Sequence, residues 1–275
     1  MNERALARLR TLRHPRHGAR QDVDDLVVVE EPLEIRVHGE TLAVTMRTPG
    51  HDSELALGLL FSEGVIESRE DLGRVAHCGK PGEDGFGNTI DVTAAPGSVL
   101  DSERVALARR GTLTTASCGV CGRRSVDDLL ERATPLEDES RFSRAVLEQV
   151  TERLAEAQPI FARTGGLHAA AAADGTGSLE HVREDVGRHN AVDKVIGRML
   201  LDGALPARGK LLVVSGRTSF EIVQKALLAG FPVLVAVSAP TSLAVETARR
   251  GGLTLIGFCR DRSFNVYSGP QRVAD

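Results

Sequence analysis

Residues 210–263 read KLLVVSGRTSFEIVQKALLAGFPVLVAVSAPTSLAVETARRGGLTLIGFCRDRS. Apolar runs at Lys210 to Val214, Val233 to Val237 and Leu253 to Gly257 alternate with two stretches of helical spacing, Ser219 to Ala229 and Leu243 to Arg249. Short strands alternating with helices predict a parallel sheet with crossover helices. Each strand runs into polar residues. Val214 leads to Ser215-Gly216-Arg217-Thr218-Ser219, Val237 to Ser238-Ala239-Pro240-Thr241-Ser242, and Gly257 to Phe258-Cys259-Arg260-Asp261-Arg262-Ser263. Ligands of open α/β sheets bind beyond the carboxyl ends of the strands. The first two segments are expected to end at helix N-termini, offering hydroxyls and free N–H groups to an anion. The third offers Arg260 and Arg262. Helix capping explains the Ser and Thr of either segment taken alone. Neither a Walker loop nor a Gly-x-Gly-x-x-Gly fingerprint is present.

Upstream, Ser143 to Ala157 has the spacing of an amphipathic helix, with Val146, Val150 and Leu154 recurring. Gly166 to Ala173 is an apolar strand, Asp174-Gly175-Thr176-Gly177 a hairpin-type turn, and Ser178 to Arg183 the return strand. A helix is predicted over Arg188 to Leu201. Its approach, Arg183-Glu184-Asp185-Val186-Gly187-Arg188-His189-Asn190-Ala191-Val192-Asp193-Lys194, is densely polar. A capped helix start explains Asp185 as the cap. It leaves Arg188, His189, Asn190 and Lys194 unexplained, and a polar pocket wall accounts for them. His168 sits inside the apolar strand, by default as a satisfied core histidine. The glycines at 165 and 166 point instead to close backbone approach.

The N-terminal half reads differently. Residues 1–22 carry Arg4, Arg8, Arg10, Arg13, Arg16 and Arg20 with little apolar pattern, and a frayed or partly helical tail is expected. Asp24 to Arg47 alternates as paired strands, and a helix over Glu54 to Glu63 follows, capped by Asp52 or Ser53. Arg74 to Gly79 and Asn88 to Thr93 form a second strand pair. Polar Thr134 to Ser140 marks a boundary. The expected organisation is a flexible tail (1–22), an N-terminal α+β domain (23–138) and a C-terminal α/β domain (139–275).

Between the halves stands Cys118-Gly119-Val120-Cys121-Gly122, followed by a short helix predicted over Ser125 to Glu131. A thiol at a helix N-terminus is shifted toward its reactive thiolate. The spacing fits a redox or sulfur-relay pair, half of a zinc site, or two buried thiols. A zinc-stabilised nucleotide-binding or scaffold protein, using Cys78, Cys118, Cys121 and His77 or Cys259, is therefore the alternative reading.

Composition narrows the classes. Hydrophobic residues make up 41% of 275, enough for a core, but aromatics are 3% with no Trp, so the core must be Ala, Leu and Val. The formal charge of −4 argues against general nucleic-acid binding. Four cysteines are too sparse for a disulfide scaffold. No apolar run reaches the roughly 18 residues of a membrane span. The arginine-bearing start lacks the apolar stretch of a secretory signal. A reducing cytoplasm is the expected compartment.

The order of elements from residue 142 resembles the cytidine-deaminase fold. The zinc deaminases, however, need His-x-Glu before Pro-Cys-x-x-Cys. Here the triplet is His168-Ala169-Ala170 and no Cys-x-x-Cys follows it, so deamination is not expected. Several segments together resemble the formate dehydrogenase accessory sulfurtransferase family. They are Gly50-His51-Asp52-Ser53-Glu54-Leu55-Ala56, the Cys118–Gly122 stretch, Thr164 to Ala170, Glu184 to Lys194, Ser215 to Glu221, Ser238 to Ser242 and Arg262 to Tyr267. The resemblance implies a mostly β N-terminal domain carrying the cysteine loop and a cytidine-deaminase-like C-terminal domain with a mixed sheet. It implies a homodimeric sulfur carrier. Such a protein takes persulfide sulfur from a cysteine desulfurase and passes it to the molybdenum cofactor, bis(molybdopterin guanine dinucleotide), of formate dehydrogenase, with that cofactor as bound substrate and no permanent metal. The family's persulfide cysteine matches Cys118 and its partner Cys121. Its cofactor-binding stretch matches Phe258 to Ser263, where Cys259 is not required by the pattern. The guanine nucleotide's phosphates are then expected on Ser215, Arg217, Thr218, Ser238 and Thr241, with His168, Arg188 and His189 lining the same site.

Overall fold

The computed structural model describes residues 3–80, 86–98, 100, 105, 123–133 and 136–274. Its centre is a six-stranded mixed sheet built from β8 (His168–Ala173), β9 (Leu179–Asp185), β10 (Leu211–Val214), β11 (Val233–Ala236), β12 (Thr254–Arg260) and β13 (Ser263–Ser268). The order across the sheet is β13-β12-β11-β10-β8-β9, and β7 (Phe142–Ser143) pairs separately with β14 (Val273–Ala274). The middle strands β10, β11 and β12 are parallel, as the strand–helix rhythm predicts, and β8 and β13 flank them antiparallel. The alanine run of β8 explains the layering. Ala169, Ala171 and Ala173 face one side, where Leu147, Val150 and Leu154 of helix α3 (Arg144–Glu156) pack. Ala170 and Ala172 face the other side, beneath α5 (Arg188–Leu201), α6 (Phe220–Leu228) and α7 (Ser242–Arg250). Small side chains on both faces let the two helical layers close tightly on a core with few aromatic residues.

The smaller sheet runs β4-β3-β6-β5, from β3 (Glu31–Val37), β4 (Glu40–Arg47), β5 (Leu72–His77) and β6 (Thr89–Ala94). Helix α1 (Asp52–Glu63) lays Leu55, Leu57 and Leu60 on its apolar face with Leu33, Ile35, Ile90 and Val92. Neither Asp52 nor Ser53 caps this helix. His51 holds the cap position in a left-handed conformation (φ 59°) with no side-chain cap bond. The other flank of α1 crosses α5 backbone to backbone. A Cβ on Gly58 would stand 1.9 Å from the Asp193 carbonyl oxygen, and one on Gly197 1.9 Å from that of Glu54. Both positions therefore require glycine.

The tail expectation is corrected. Leu6–Arg13 (β1) and Gln21–Val28 (β2) form an antiparallel ribbon in full register. Arg10 faces Asp24 and Leu12 faces Asp22, so what reads as an unpatterned charge run pairs across strands. No helix among the described residues is long and apolar enough to cross a membrane.

Candidate functional site at the carboxyl edge of the sheet

The parallel strands β10, β11 and β12 end at one edge. Antiparallel β8 begins there and β9 ends there, with His168 opposite Asp185. The chain then enters α5 at Gly187. His168, Arg188 and His189 are thereby delivered to the loop after β10. Ala169 N–H donates to Ser215 Oγ (2.9 Å), and Ser215 N–H donates back to Ala169 O. Gly216 is buried, and a Cβ there would meet His168 Nδ1 at 3.3 Å and Arg188 Cδ at 3.5 Å. A side chain there would press the imidazole back by a few tenths of an ångström and reach ordinary contact with the arginine, so both lie against this loop. The second loop is tied to the first: Thr218 N–H donates to Ala239 O, and Thr241 N–H donates to Thr218 O. Thr218 is fully buried, and its Oγ1 has no hydrogen-bond partner among the described residues, as is also true of Arg188 Nε. Such orphaned polar atoms are rare in native structures, where an ordered water or a bound group completes them, and Arg36 Nε and His77 Nδ1 in the smaller sheet share the property.

Capping and ligand binding separate at this edge. Thr241 Oγ1 accepts the Ala244 N–H and so caps α7, as the simpler reading holds. Ser219 stands at the start of α6 without capping it. Its hydroxyl donates to Glu221 Oε2 (2.6 Å) and contacts His189 Nε2 (3.1 Å). Because the only hydroxyl proton goes to the carboxylate, His189 must carry a proton on Nε2 to complete the contact. The His189 bond, outweighing burial, holds the Glu221 carboxyl down at about 2. Burial pushes the His168 imidazole below its ordinary value, and Arg188, His189 and Arg217 add to this. The edge thus concentrates cationic and N–H donor groups, the chemistry of an anion site.

The third strand end departs from expectation. The strand expected to stop at Gly257 does not end there. β12 continues to Arg260 and turns through Asp261 and Arg262, both left-handed (φ 52° and 54°), into β13. Two residues of positive φ are the geometry of a tight hairpin turn. A register break between Gly257 and Arg260 places Phe258 outward at φ 53°. Its N–H donates to Ser238 O, and Arg260 lies 5.8 Å over its ring. The break sends Cys259 the other way. It is fully buried, its thiol donates to Leu147 O (3.0 Å), and burial pushes its pKa up. Cys259 is therefore removed from the ligand-facing set, whereas Phe258, Arg260, Asp261, Arg262 and Ser263 are exposed.

The polar stretch 183–194 divides its labour. Arg188 and His189 face the edge. The rest holds the two sheets together. Asp185 is fully buried and does not cap α5; Gly187 holds that position. The Asp185 carboxylate instead pairs with Lys194 Nζ (2.6 Å) and accepts N–H groups from Thr48, Gly187 and Asn190. Lys194 also donates to Thr48 O, and Asn190 to Met46 O. Asp193 pairs with Lys225 (2.6 Å) and accepts from Ser62. Arg183 grips Glu54 through two nitrogens, and Arg47 grips Asp52 likewise. Sequence reasoning missed Arg47, Asp52, Glu54, Asp193 and Lys225 as partners, although the Gly50-His51-Asp52-Ser53-Glu54 run was the signal.

Burial raises the Glu54 pKa, but Arg183 and His51 overrule it and hold the carboxyl at about 2, below an ordinary 4.5. Because the folded value is depressed, this stabilisation is complete above about pH 4.5 and is lost as the pH falls toward 2. Acid melts of wild type and Glu54→Gln should converge across that window. Above it the variant should be less stable by on the order of 2–3 kcal/mol.

The FdhD/NarQ family model matches residues 28–274. The chain belongs to the FdhD/NarQ family. The sulfur carrier protein FdhD of Anaeromyxobacter dehalogenans strain 2CP-C is 53% identical over 257 residues, covering 91% of this chain and 89% of that one. That of Streptomyces coelicolor is 49% identical over 264 residues, covering 94% and 93%. A solved structure from Desulfotalea psychrophila, assigned as a formate dehydrogenase accessory protein, superposes with a TM-score of 0.76 at 25% identity, over 98% of this chain and 100% of that one.

In this family member Cys118 and Cys121 lie outside the described residues. The helix expected after them is α2 (Arg123–Arg132), which starts two residues past Cys121. Leu129 joins the core under α6, and Asp127 pairs with Arg250 at the end of α7. Of the two other cysteines, Cys78 is half-buried and Cys259 buried.

Proposed function

We propose that this chain is a sulfur carrier with a persulfide on Cys118, serving formate dehydrogenase. The Cys118 thiolate attacks the terminal sulfur of a cysteine desulfurase persulfide. One S–S bond forms at Cys118, the donor's S–S bond breaks, and the donor leaves as a thiolate, with no net oxidation. Cys121 supplies the electrons for release: its thiolate attacks the Cys118 sulfur, a Cys118–Cys121 disulfide forms as the outer S–S bond breaks, and the outer sulfur leaves as sulfide for the cofactor. The molybdenum cofactor, bis(molybdopterin guanine dinucleotide), is the second substrate and receives the sulfur before its insertion into the dehydrogenase. Its guanine-nucleotide phosphates are taken up by Ser215, Arg217, Thr218, Ser238 and the α6 N-terminus, beside His168, Arg188 and His189, with Arg260 and Arg262 at the hairpin. The chain works in the cytoplasm as a homodimer.

The observation that carries this reading is the convergence of cationic and N–H donor groups at one sheet edge, together with orphaned polar atoms on Arg188 and Thr218. Relatives named sulfur carrier protein FdhD support the sulfur-transfer half.

Calorimetry with a guanine nucleotide tests the site. A charge-assisted bond to phosphate contributes about 1.5–3 kcal/mol. Arg217→Ala or Arg260→Ala should therefore weaken binding roughly ten- to a hundredfold, at about 1.4 kcal/mol per decade. Absence of binding to wild type, or equal affinity in the Arg217/Arg260 double variant, would remove the nucleotide from the edge.

A further inference from the structure

Glu221 places a negative charge on an edge that otherwise collects cations. It sits in the first turn of α6, where a carboxylate suits the helix dipole. Its surroundings show more than that. Ser219 forgoes the cap of α6 and donates its hydroxyl to Glu221 Oε2 (2.6 Å). His189 Nε2 lies 3.5 Å from the same oxygen, and the carboxylate also accepts the N–H of its own residue. Bonds from His189 and Ser219 outweigh burial and hold the group at about 2, so it is ionised throughout the neutral range. Its side chain nevertheless stays 35% exposed. Other carboxylates around this edge are spent on structure. Glu184 accepts the N–H groups of Ile160 (3.1 Å) and Phe161 (2.7 Å) at the start of α4 (Phe161–Thr164), and Asp185 is buried against Lys194. Asp261 is open, but it stands between Arg260 and Arg262 in the hairpin turn.

The donors around Glu221 are correspondingly mild. Thr218 is fully buried, with its Oγ1 unpartnered among the described residues. Ser215 Oγ accepts the Ala169 N–H and keeps its own proton to give. Burial, with Arg188, His189 and Arg217 nearby, holds His168 toward its neutral form. His189 is drawn to Glu221. Hydroxyls and backbone N–H groups can hold a phosphate oxygen without neutralising a second negative charge, and a fixed carboxylate repels one. The charge on a phosphate depends on its esterification. A diester carries a single negative charge, whereas a terminal monoester carries about 1.5 to 2 at pH 7.

We propose that Glu221 is a specificity determinant: its carboxylate, fixed at the start of α6, admits phosphates that are diesters, as in a dinucleotide, and rejects the dianionic end of a free nucleoside di- or triphosphate. The inference rests on the nucleotide reading of the edge given above and names the phosphate class that the edge takes. Free GDP and GTP carry the same guanine and the same ribose-linked phosphate as a guanine dinucleotide, so contacts to those parts cannot separate them. The charge on the outer phosphate can. Selectivity then comes from repulsion of the wrong ligand rather than from added attraction for the right one.

The test is titration calorimetry on the full chain, without magnesium, using GDP and its β-methyl ester. The methyl group turns the terminal phosphate from a dianion into a monoanion and leaves the guanosine and the diphosphate in place. Wild type should bind the ester roughly tenfold more tightly than GDP, at about 1.4 kcal/mol per decade. Glu221→Gln keeps an acceptor for the Ser219 hydroxyl and removes the charge. It should gain affinity for GDP and bring the two ligands to within about twofold of each other. Glu221→Asp, which keeps the charge, should keep the preference. The wild-type comparison decides without any variant, so a folding defect in one of them leaves the test intact. Equal affinity of wild type for GDP and the ester overturns the proposal. So does a preference that persists undiminished in folded Glu221→Gln. Either result spares the nucleotide reading, because both ligands still bind and Arg217→Ala still weakens them. Binding of neither ligand to wild type removes the nucleotide from the edge, and the selectivity with it.

Discussion

Cys118→Ala protein, incubated with a cysteine desulfurase and cysteine, should gain no sulfur, where wild type gains an adduct of about 32 daltons, one sulfur atom on a thiolate. Client activation should fall with it, by more than a hundredfold. The physical reason is thiolate availability. Cys118 and Cys121 precede α2, whose first residue is Arg123. A thiol close ahead of a helix N-terminus is shifted toward its thiolate, and this is what the proposal asks of Cys118. Cys259 offers no substitute, because it is buried and its thiol is pushed up. Peptide mapping should therefore find the adduct on Cys118. Full client activation by Cys118→Ala would end this assignment. About one zinc per chain, lost on the same substitution, would favour the zinc-stabilised alternative.

The second large effect concerns stability. Lys194→Ala should cost about 3–5 kcal/mol, because removing one member of a buried pair leaves the other charge uncompensated. Asp185 is wholly buried, and Lys194 Nζ lies 2.6 Å from it. Against a typical stability of about 5–15 kcal/mol, this loss is a large fraction of the whole. Urea unfolding would register it as a lower midpoint at unchanged slope. The double variant Asp185→Asn, Lys194→Met should recover much of the loss, since the unpaired charge is gone. A Lys194→Ala deficit under about 1 kcal/mol would show that Asp185 does not need its partner in the way its burial implies.

The parallel heart of the sheet was legible because a strand buried on both faces reads as an unbroken apolar run, as in Leu211–Val214 and Val233–Ala236. The edge site followed from where those runs stop. Illegible parts share one cause: a linear pattern does not say which way a residue faces. Cys259 and Arg260 are neighbours, yet the break at Gly257–Arg260 buries one and exposes the other. Arg188 and Lys194 belong to one helix, but one faces the edge and the other reaches across to Thr48. The ribbon escaped because β1 sets its leucines three apart among arginines and β2 opens on aspartates at 22, 24 and 25, so neither strand shows an apolar–polar period of two. β13 escaped because the left-handed pair that turns into it is Asp261-Arg262, with no glycine to announce it.

The crossing of α1 and α5 through Gly58 and Gly197 bears on how the chain is made. A growing polypeptide completes the smaller sheet long before residue 183 leaves the ribosome. Until then the Glu54 carboxylate lacks Arg183, Ser62 lacks Asp193, and the Thr48 carbonyl lacks Lys194. The flank of α1 that later lies against the Asp193 backbone faces water. The first half of the molecule must therefore wait, incompletely bonded, for the second. The edge site is likewise put together only when β12 and β13 have joined the strands made before them.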